Sequence, residues 1–430
     1  MFHSRGTIRH RSSPLLAALA LCCVTPLASA APASRAWIAS WAASPMPAAL
    51  PAGAPRAWQM PVAVIDGQTI RQRLTLSRGG VALRVRFSNE FGAAPLRIGS
   101  ASVIYRDPRS GKTAYVPLRF GGEPSVTVPA ESPVLSDPVR LSVPGGATIE
   151  VSAFFPDRTP VTTLHQQALQ SVEISGRGDF VLARALPGAR PFTVVVDPIH
   201  HYTAEARPFL SEVDVLTGSG VGVIVALGDS ITDGFQSTPG ADDRWPDFLA
   251  RRVRRAHLDL AIANEGISGN RVLADGAGPS ALSRFDRDVL AVPGARTVIL
   301  LEGINDIGFS GGLVPGLSSK KVLSARRLIW GYQQLIARAH EHGLRIILGT
   351  MTPFAGSPAY SAAKERVRLA VNRWIRSNHE ADGFIDFDKA MRDPRDPSRL
   401  LPALDSGDHI HPNDRGYAVM AHAIDLKLLE

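Results

Sequence analysis

Two periods of hydrophobic patterning divide the chain. Between Trp37 and about Leu216, apolar and polar residues alternate in short runs. Val81, Leu83, Val85 and Phe87 are interleaved with Ala82, Arg84 and Arg86, so one face is apolar and the other polar, as a half-buried antiparallel strand requires. Similar runs recur at Thr69 to Leu76, Leu96 to Tyr105, Val139 to Val143, Thr148 to Phe155 and Phe192 to Val196. Turn signals such as Arg78-Gly79-Gly80, Asp107-Pro108, Gly121-Gly122 and Pro144-Gly145-Gly146 fall between them. This spacing predicts a β-sandwich or jelly-roll-like domain.

The period changes after Thr217-Gly218-Ser219-Gly220, a polar tetrad suited to a junction. Strands are predicted at Val221 to Leu227, Leu260 to Asn264, Thr297 to Glu302, Arg345 to Gly349 and Phe384 to Phe387. Helices are predicted near Pro246 to Arg255, Ser324 to His342, Ala362 to Ser377 and Arg415 to Leu428. Strands that alternate with helices make a parallel sheet covered on both faces, an α/β fold.

A length of 430 residues accommodates two or three domains, but the first thirty residues are expected to lie outside them. Arg5, Arg9 and Arg11 precede an apolar segment, Leu15 to Leu27, and Ala28-Ser29-Ala30 supplies a small-residue cleavage pattern. A secretory signal peptide over 1–30 is therefore expected, then a β-rich domain over 31–216 and an α/β domain over 221–430, in a secreted or periplasmic protein. No other uninterrupted apolar run approaches the length of a membrane span. Cys22 and Cys23 both fall in the signal segment, so a mature chain starting near Ala31 has no thiol chemistry. A lipid-anchored start at either cysteine is disfavoured by the bulky Leu21.

Loss of the three arginines lowers the formal charge from +8 to +5, a balance that does not imply nucleic acid. The densest basic stretch, Arg251 to Arg255, is better explained as a solvated helix face. His200-His201 does not suggest a metal site, because adjacent side chains of an extended segment point to opposite faces. Trp37 and Trp41 are expected to pack against a domain rather than stack on a sugar.

Candidate chemistry begins at Gly228-Asp229-Ser230, where a buried strand delivers a serine into a turn. In open parallel sheets ligands collect at such strand ends. Three further stretches fall at ends of strands or connections: Ile267-Ser268-Gly269-Asn270, Gly303-Ile304-Asn305-Asp306 and Asp408-His409-Ile410-His411. Their convergence at one rim is what acyl transfer needs. Position 232 is Thr, so Gly228 to Thr232 is not the G-x-S-x-G elbow of ordinary α/β-hydrolases. The glycine-containing stretch Gly316 to Lys321 lacks phosphate-loop spacing.

The four blocks, in this order and with D-x-x-H spacing in the last, resemble those of the SGNH, or GDSL-type, hydrolase superfamily. The resemblance covers roughly residues 221–430, and the preceding region is similar, less specifically, to that of secreted two-domain members. It implies a flavodoxin-like three-layer α/β/α domain, with Ser230 as nucleophile, His411 as base and Asp408 as its orienting carboxylate. It also implies an oxyanion hole made by the backbone N–H groups of Ser230 and Gly269 and the side chain of Asn305. From the residues alone two other pairings stay open, since Asp405 stands four before His409 and Asp408 is adjacent to it. Asp229 and Asp306 are expected to orient loops by bonding their own backbone.

The activity implied is hydrolysis of carboxylic esters without metal or organic cofactor, on a small-molecule or polysaccharide ester. Acetylated carbohydrates, short-chain lipid esters and aryl esters fall within the family's range. An acyltransferase would share the acyl-enzyme, whereas a purely carbohydrate-binding protein would not need all five of Ser230, Gly269, Asn305, Asp408 and His411. The loop Phe309 to Lys320, FSGGLVPGLSSK, has too few large apolar residues to cover a long alkyl chain, so short acyl groups are expected.

Overall fold

The structure, a computed structural model, describes residues 1–3, 7, 34–49, 62–197, 202–312 and 320–430. All of the expected signal segment but residues 1–3 and 7, the His200-His201 pair and residues 313–319 of the Phe309 to Lys320 loop lie outside the described residues.

Alternating residues in the N-terminal half form antiparallel sheets. One has the strand order Arg35–Ala42, Leu210–Gly218, Leu83–Ser88, Pro133–Leu135. A six-stranded sheet is centred on Val64–Thr75 and Thr148–Pro160, paired antiparallel with Thr148 opposite Thr75 and Phe155 opposite Gln68. Leu83, Val85 and Phe87 of the first sheet and Ile70, Leu74, Val103 and Val151 of the second are buried in one cluster. Arg84 and Arg86, on the opposite face of their strand, pair with Asp214 and Glu212 of the neighbouring strand. The polar stripe is thus a ladder of cross-strand ion pairs.

The C-terminal half contains a five-stranded parallel sheet in the order Leu260–Gly266, Gly222–Gly228, Ala295–Leu301, Arg345–Gly349, Gly383–Ile385. Numbered along the chain this is 2-1-3-4-5, the flavodoxin-like order, with its switch point at the carboxyl end of the first strand. Every residue of Gly222–Gly228 is buried, which explains its continuous apolar run. Ile224 and Ala226 face a cluster with Trp245, Leu249, Tyr417 and Met420. Val223, Val225 and Leu227 face the other way, into the cluster that holds Leu328, Tyr332 and Val371. Helices Trp245–Arg255 and Asp414–His422 cover one side and Ala325–Glu341 and Ala362–Ser377 the other.

Residues 35–430 form one compact unit. The strand Arg35–Ala42 reaches the α/β half directly: Ala39 N–H donates to Pro293 O at 2.9 Å. Helix boundaries follow local chemistry, with Ser324 and Ser361 capping the two long helices by accepting from Arg327 N–H and Lys364 N–H. The C-terminal helix is shorter than the sequence predicts. It stops at His422, and Asp425 caps a separate turn, Leu426–Leu429, by accepting from Lys427 N–H.

Gly266, at the carboxyl end of the second parallel strand, lies against the backbone of Asp233, where an added Cβ would meet the Asp233 N and Cα atoms. Backbone cannot yield as a side chain can. Gly266→Ala is expected to destabilise the protein by about 1–3 kcal/mol, the usual range for overpacking. Gly220→Ala, whose Cβ meets no atom within 4 Å, should stay within about 0.5 kcal/mol of the parent. Urea denaturation of the two variants checks this; equal midpoints would refute it.

Candidate active site

The first parallel strand ends at Gly228, where a Cβ would press on Leu301 O and the Thr232 side chain. Asp229 then caps the four-residue helix Ser230–Asp233, its Oδ1 accepting from Ile231 N–H at 3.0 Å. Gly234 closes that helix with φ 100°, a conformation suited to glycine. Ser230 is thereby held at the switch point with 7% of its surface exposed.

The partner of Ser230 comes from the loop before the last helix. Asp408 Oδ1 accepts from the N–H groups of Ile410 at 3.0 Å and His411 at 2.8 Å. Its Oδ2 lies 2.6 Å from His411 Nδ1, and His411 Nε2 lies 2.8 Å from Ser230 Oγ. A carboxylate can only accept, so Nδ1 carries the proton and Nε2 presents its lone pair to the hydroxyl. Burial works against the charge of Asp408, but the hydrogen bond and charge of His411, with the two N–H donors, outweigh it and hold its pKa below the usual carboxylate range. The Phe235 ring meets the His411 ring in a T at 4.6 Å, and Tyr417 fixes Phe235 by donating to its carbonyl at 2.6 Å.

His409 forms its own pair, with Nδ1 2.7 Å from Asp405 Oδ2. Both Asp-His spacings in this loop are therefore used, and the hydroxyl of Ser230 meets His411.

Gly269 follows the second parallel strand with φ 78°, in a turn that Ile267 N–H fastens to Gly228 O at 3.0 Å. Asn305, in the first turn of Ile304–Gly308, donates through Nδ2 to Asn270 O at 3.0 Å. These contacts fasten the Gly269 turn to the end of the first parallel strand on one side and to Asn305 on the other. Asp229 bonds its own helix as expected. Asp306 instead crosses to the neighbouring loop, accepting from Val272 N–H at 2.7 Å and Leu273 N–H at 3.0 Å.

Patterning along the chain gave no sign of Arg284, which is 1% exposed beneath this rim. Its Nη2 donates to Gly228 O at 3.0 Å, its Nε to Asn270 Oδ1 at 3.0 Å, and its Nη1 to Ser44 Oγ at 2.9 Å, Asp288 Oδ2 at 3.0 Å and Glu265 O. Only the four-residue offset to Asp288 could have marked it. Ser44 in turn donates to Glu265 Oε2 at 2.6 Å.

Burial and neighbouring carboxylates raise the pKa values of the acids around this guanidinium. Burial pushes Asp229 up to about 7 and Asp306 up to about 6, each against its own backbone N–H donors. Glu265 and Glu302 are driven well above the ordinary value by burial, then by Asp288 and Asp229 respectively. Asp288 moves the other way, because Arg287 and Arg284 overcome its burial.

A hydroxyl, an imidazole and a carboxylate in line at the carboxyl edge of a parallel sheet have the geometry that acyl transfer through a serine ester requires. Residues 226–419 match the profile of the GDSL-like lipase/acylhydrolase family. The chain carries a GDSL-type, or SGNH, hydrolase domain and is a carboxylic ester hydrolase. No curated protein matches the sequence. Among solved structures it is similar to a putative lipolytic protein of the G-D-S-L family from Desulfitobacterium hafniense, at 22% identity and TM-score 0.35 over 47% of this chain and 96% of that one. It is also similar to an acetyl xylan esterase from Geobacillus stearothermophilus, at 23% identity and TM-score 0.37 over 47% and 94%. A GDSL-like lipase from Bacteroides thetaiotaomicron gives 19% identity and TM-score 0.37 over 48% and 87%.

The raised acids predict how stability depends on pH. Each has a folded pKa above its unfolded value, so between the two the folded state binds more protons and stability falls as pH rises. For Asp306 and Asp229 the window runs from about 4 up to about 6 and about 7. Glu212, raised by burial to about 8, extends it. Lowered groups such as Asp408 and Asp288 withdraw stability only below the unfolded pKa. The melting temperature is therefore expected to decline from pH 5 to pH 8, and a steady rise over that interval in a calorimetric series would overturn the assignment.

Proposed function

We propose that the chain is an exported serine esterase acting on short-chain acyl esters such as acetylated carbohydrates. Residues 1–30 serve as its signal peptide, and a β-rich domain over 31–216 precedes the hydrolase domain over 221–430. Ser230 is the nucleophile, His411 the general base and Asp408 the group that orients it. The backbone N–H groups of Ser230 and Gly269 and the amide of Asn305 receive the oxyanion. The single observation that carries the proposal is the line from Ser230 Oγ through His411 to Asp408, at 2.8 and 2.6 Å.

In the proposed cycle Ser230 Oγ attacks the ester carbonyl while His411 Nε2 takes its proton. The Asp408 carboxylate stabilises the imidazolium that forms. His411 then returns the proton to the leaving alcohol, leaving an acyl-enzyme. Water attacks that ester with His411 again as base, the acid departs, and Ser230 recovers its proton. The oxyanion donors act at both tetrahedral intermediates, where charge develops on the former carbonyl oxygen.

With 4-nitrophenyl acetate as substrate, Ser230→Ala is expected to remove turnover in a folded protein, His411→Ala to be similarly severe and His409→Ala to be mild. A more damaging His409→Ala would move the base. Asn305→Ala should lower kcat by about 10²–10³-fold, the cost of one oxyanion donor, and an effect confined to KM would leave Asn305 with a positioning role only.

Short-acyl preference is tested with 4-nitrophenyl esters from acetate to palmitate. Each buried methylene contributes about 0.8 kcal/mol where an apolar trough exists. Here kcat/KM is expected to stop rising beyond butyrate, and a continued climb past eight carbons would identify a long-chain lipase.

A further inference from the structure

The helix that presents Ser230 is only four residues long, a single turn closed by Gly234 N–H on Ser230 O. So short a helix is not stable by itself, and its position depends on what its ends are attached to. Asp229 holds the N-terminal end. At the other end stands Asp233, 2% exposed, a carboxylate at the helix end where the dipole favours a cation. Its partners account for it.

Asp233 Oδ2 accepts two bonds from Ser268, from the N–H at 3.0 Å and from Oγ at 2.7 Å. Ser268 immediately precedes Gly269. Asp233 Oδ1 lies 3.0 Å from Nε2 of His165, a residue of the antiparallel half that ends the strand Thr163–His165. His165 is 5% exposed, and its Nδ1 lies 3.1 Å from the carbonyl oxygen of Ser44. Both facing oxygens are acceptors, so each ring nitrogen is placed to donate, Nδ1 to Ser44 O and Nε2 to Asp233 Oδ1.

We propose that His165 is a positioning residue for ester hydrolysis: by holding Asp233 it fixes at once the helix that presents Ser230 and the Ser268-Gly269 turn that presents an oxyanion donor. The antiparallel half is then a working part of the hydrolase rather than an appended module. This rests on the proposed roles of Ser230 and Gly269. A change at His165 touches no reacting group, yet it loosens nucleophile and oxyanion donor relative to each other. Misplacement on the scale of 1 Å costs about 10²-fold in rate.

The two ring nitrogens can be tested separately in the full-length enzyme. A glutamine amide nitrogen reaches the place of Nε2 and can donate to Asp233; an asparagine amide nitrogen reaches the place of Nδ1 and can donate only to Ser44 O. His165→Asn is expected to lower kcat for 4-nitrophenyl acetate by about 10²-fold with KM nearly unchanged, while His165→Gln keeps most of the rate. Melting temperatures measured in parallel report the structural cost of each. Should neither variant fold, Ser268→Ala, which removes only a hydroxyl, is expected to lower kcat by about tenfold without raising KM. Wild-type kcat in His165→Asn or Ser268→Ala, or equal losses in His165→Asn and His165→Gln, would overturn the inference. A Ser230→Ala control separates the levels: if it is active the underlying roles fall, and if it is inactive while His165→Asn is unimpaired, only the role of His165 falls.

Discussion

A buried guanidinium has five N–H donors to satisfy and no water to satisfy them. Arg284 meets this with groups from separate stretches of chain: Nε faces Asn270, Nη1 is shared among Ser44, the Glu265 carbonyl and Asp288 on its own helical segment, and Nη2 donates to the Gly228 carbonyl with Glu302 Oε2 at 3.6 Å. The two carbonyls belong to the last residue of the first parallel strand and the next-to-last residue of the second. The requirement to satisfy one cation therefore sets the height at which both strands deliver their loops. Arg287, together with this cation, keeps Asp288 charged, while Glu265 and Glu302, equally buried, are pushed toward their protonated forms. A buried charge of this kind is costly to break rather than a net source of stability, so its effect is to leave few alternatives to the observed arrangement.

Ser44 and His165 extend that constraint into the antiparallel half. The Ser44 hydroxyl is shared among Arg284, Glu265 and Asp288, and its carbonyl lies beside the His165 ring. Polar contacts of this density at a junction specify one docking geometry, since a shift would strand several buried groups. The apolar cluster continues through the same junction, holding Ile38 and Trp41 of the antiparallel half together with Val223 and Ile267 of the other.

The sheet and its rim were legible in the sequence for identifiable reasons. Val223 to Leu227 is apolar on both faces, and the run breaks at Gly228 because a side chain there has no room. The antiparallel strand Leu83–Ser88 was legible through period two, with Arg84 and Arg86 on its polar face. The choice between His409 and His411 was not legible from residues alone, because each has an aspartate at a workable offset and each pair forms. Only the loop path, with Gly407 at φ 107° and His409 at φ 67°, separates them. Arg284 and His165 were beyond reach for a different reason. Their partners Ser44 and Asp233 lie 240 and 68 residues away, and no local pattern records such a pairing.

Under the proposed roles, Asn305 shows how the same constraints bear on rate. Its amide has two N–H donors, and one is committed to Asn270 O, whose residue is itself held by Arg284 through Oδ1 and bonded through Nδ2 to Pro279 O. The committed hydrogen fixes the plane of the amide and so fixes where the second one points before any substrate arrives. Asp306 secures the other side by gripping the backbone of Val272 and Leu273. A donor oriented in advance needs no reorganisation when charge develops on the oxyanion, and that is the condition under which a hydrogen bond lowers a barrier rather than merely binding a substrate.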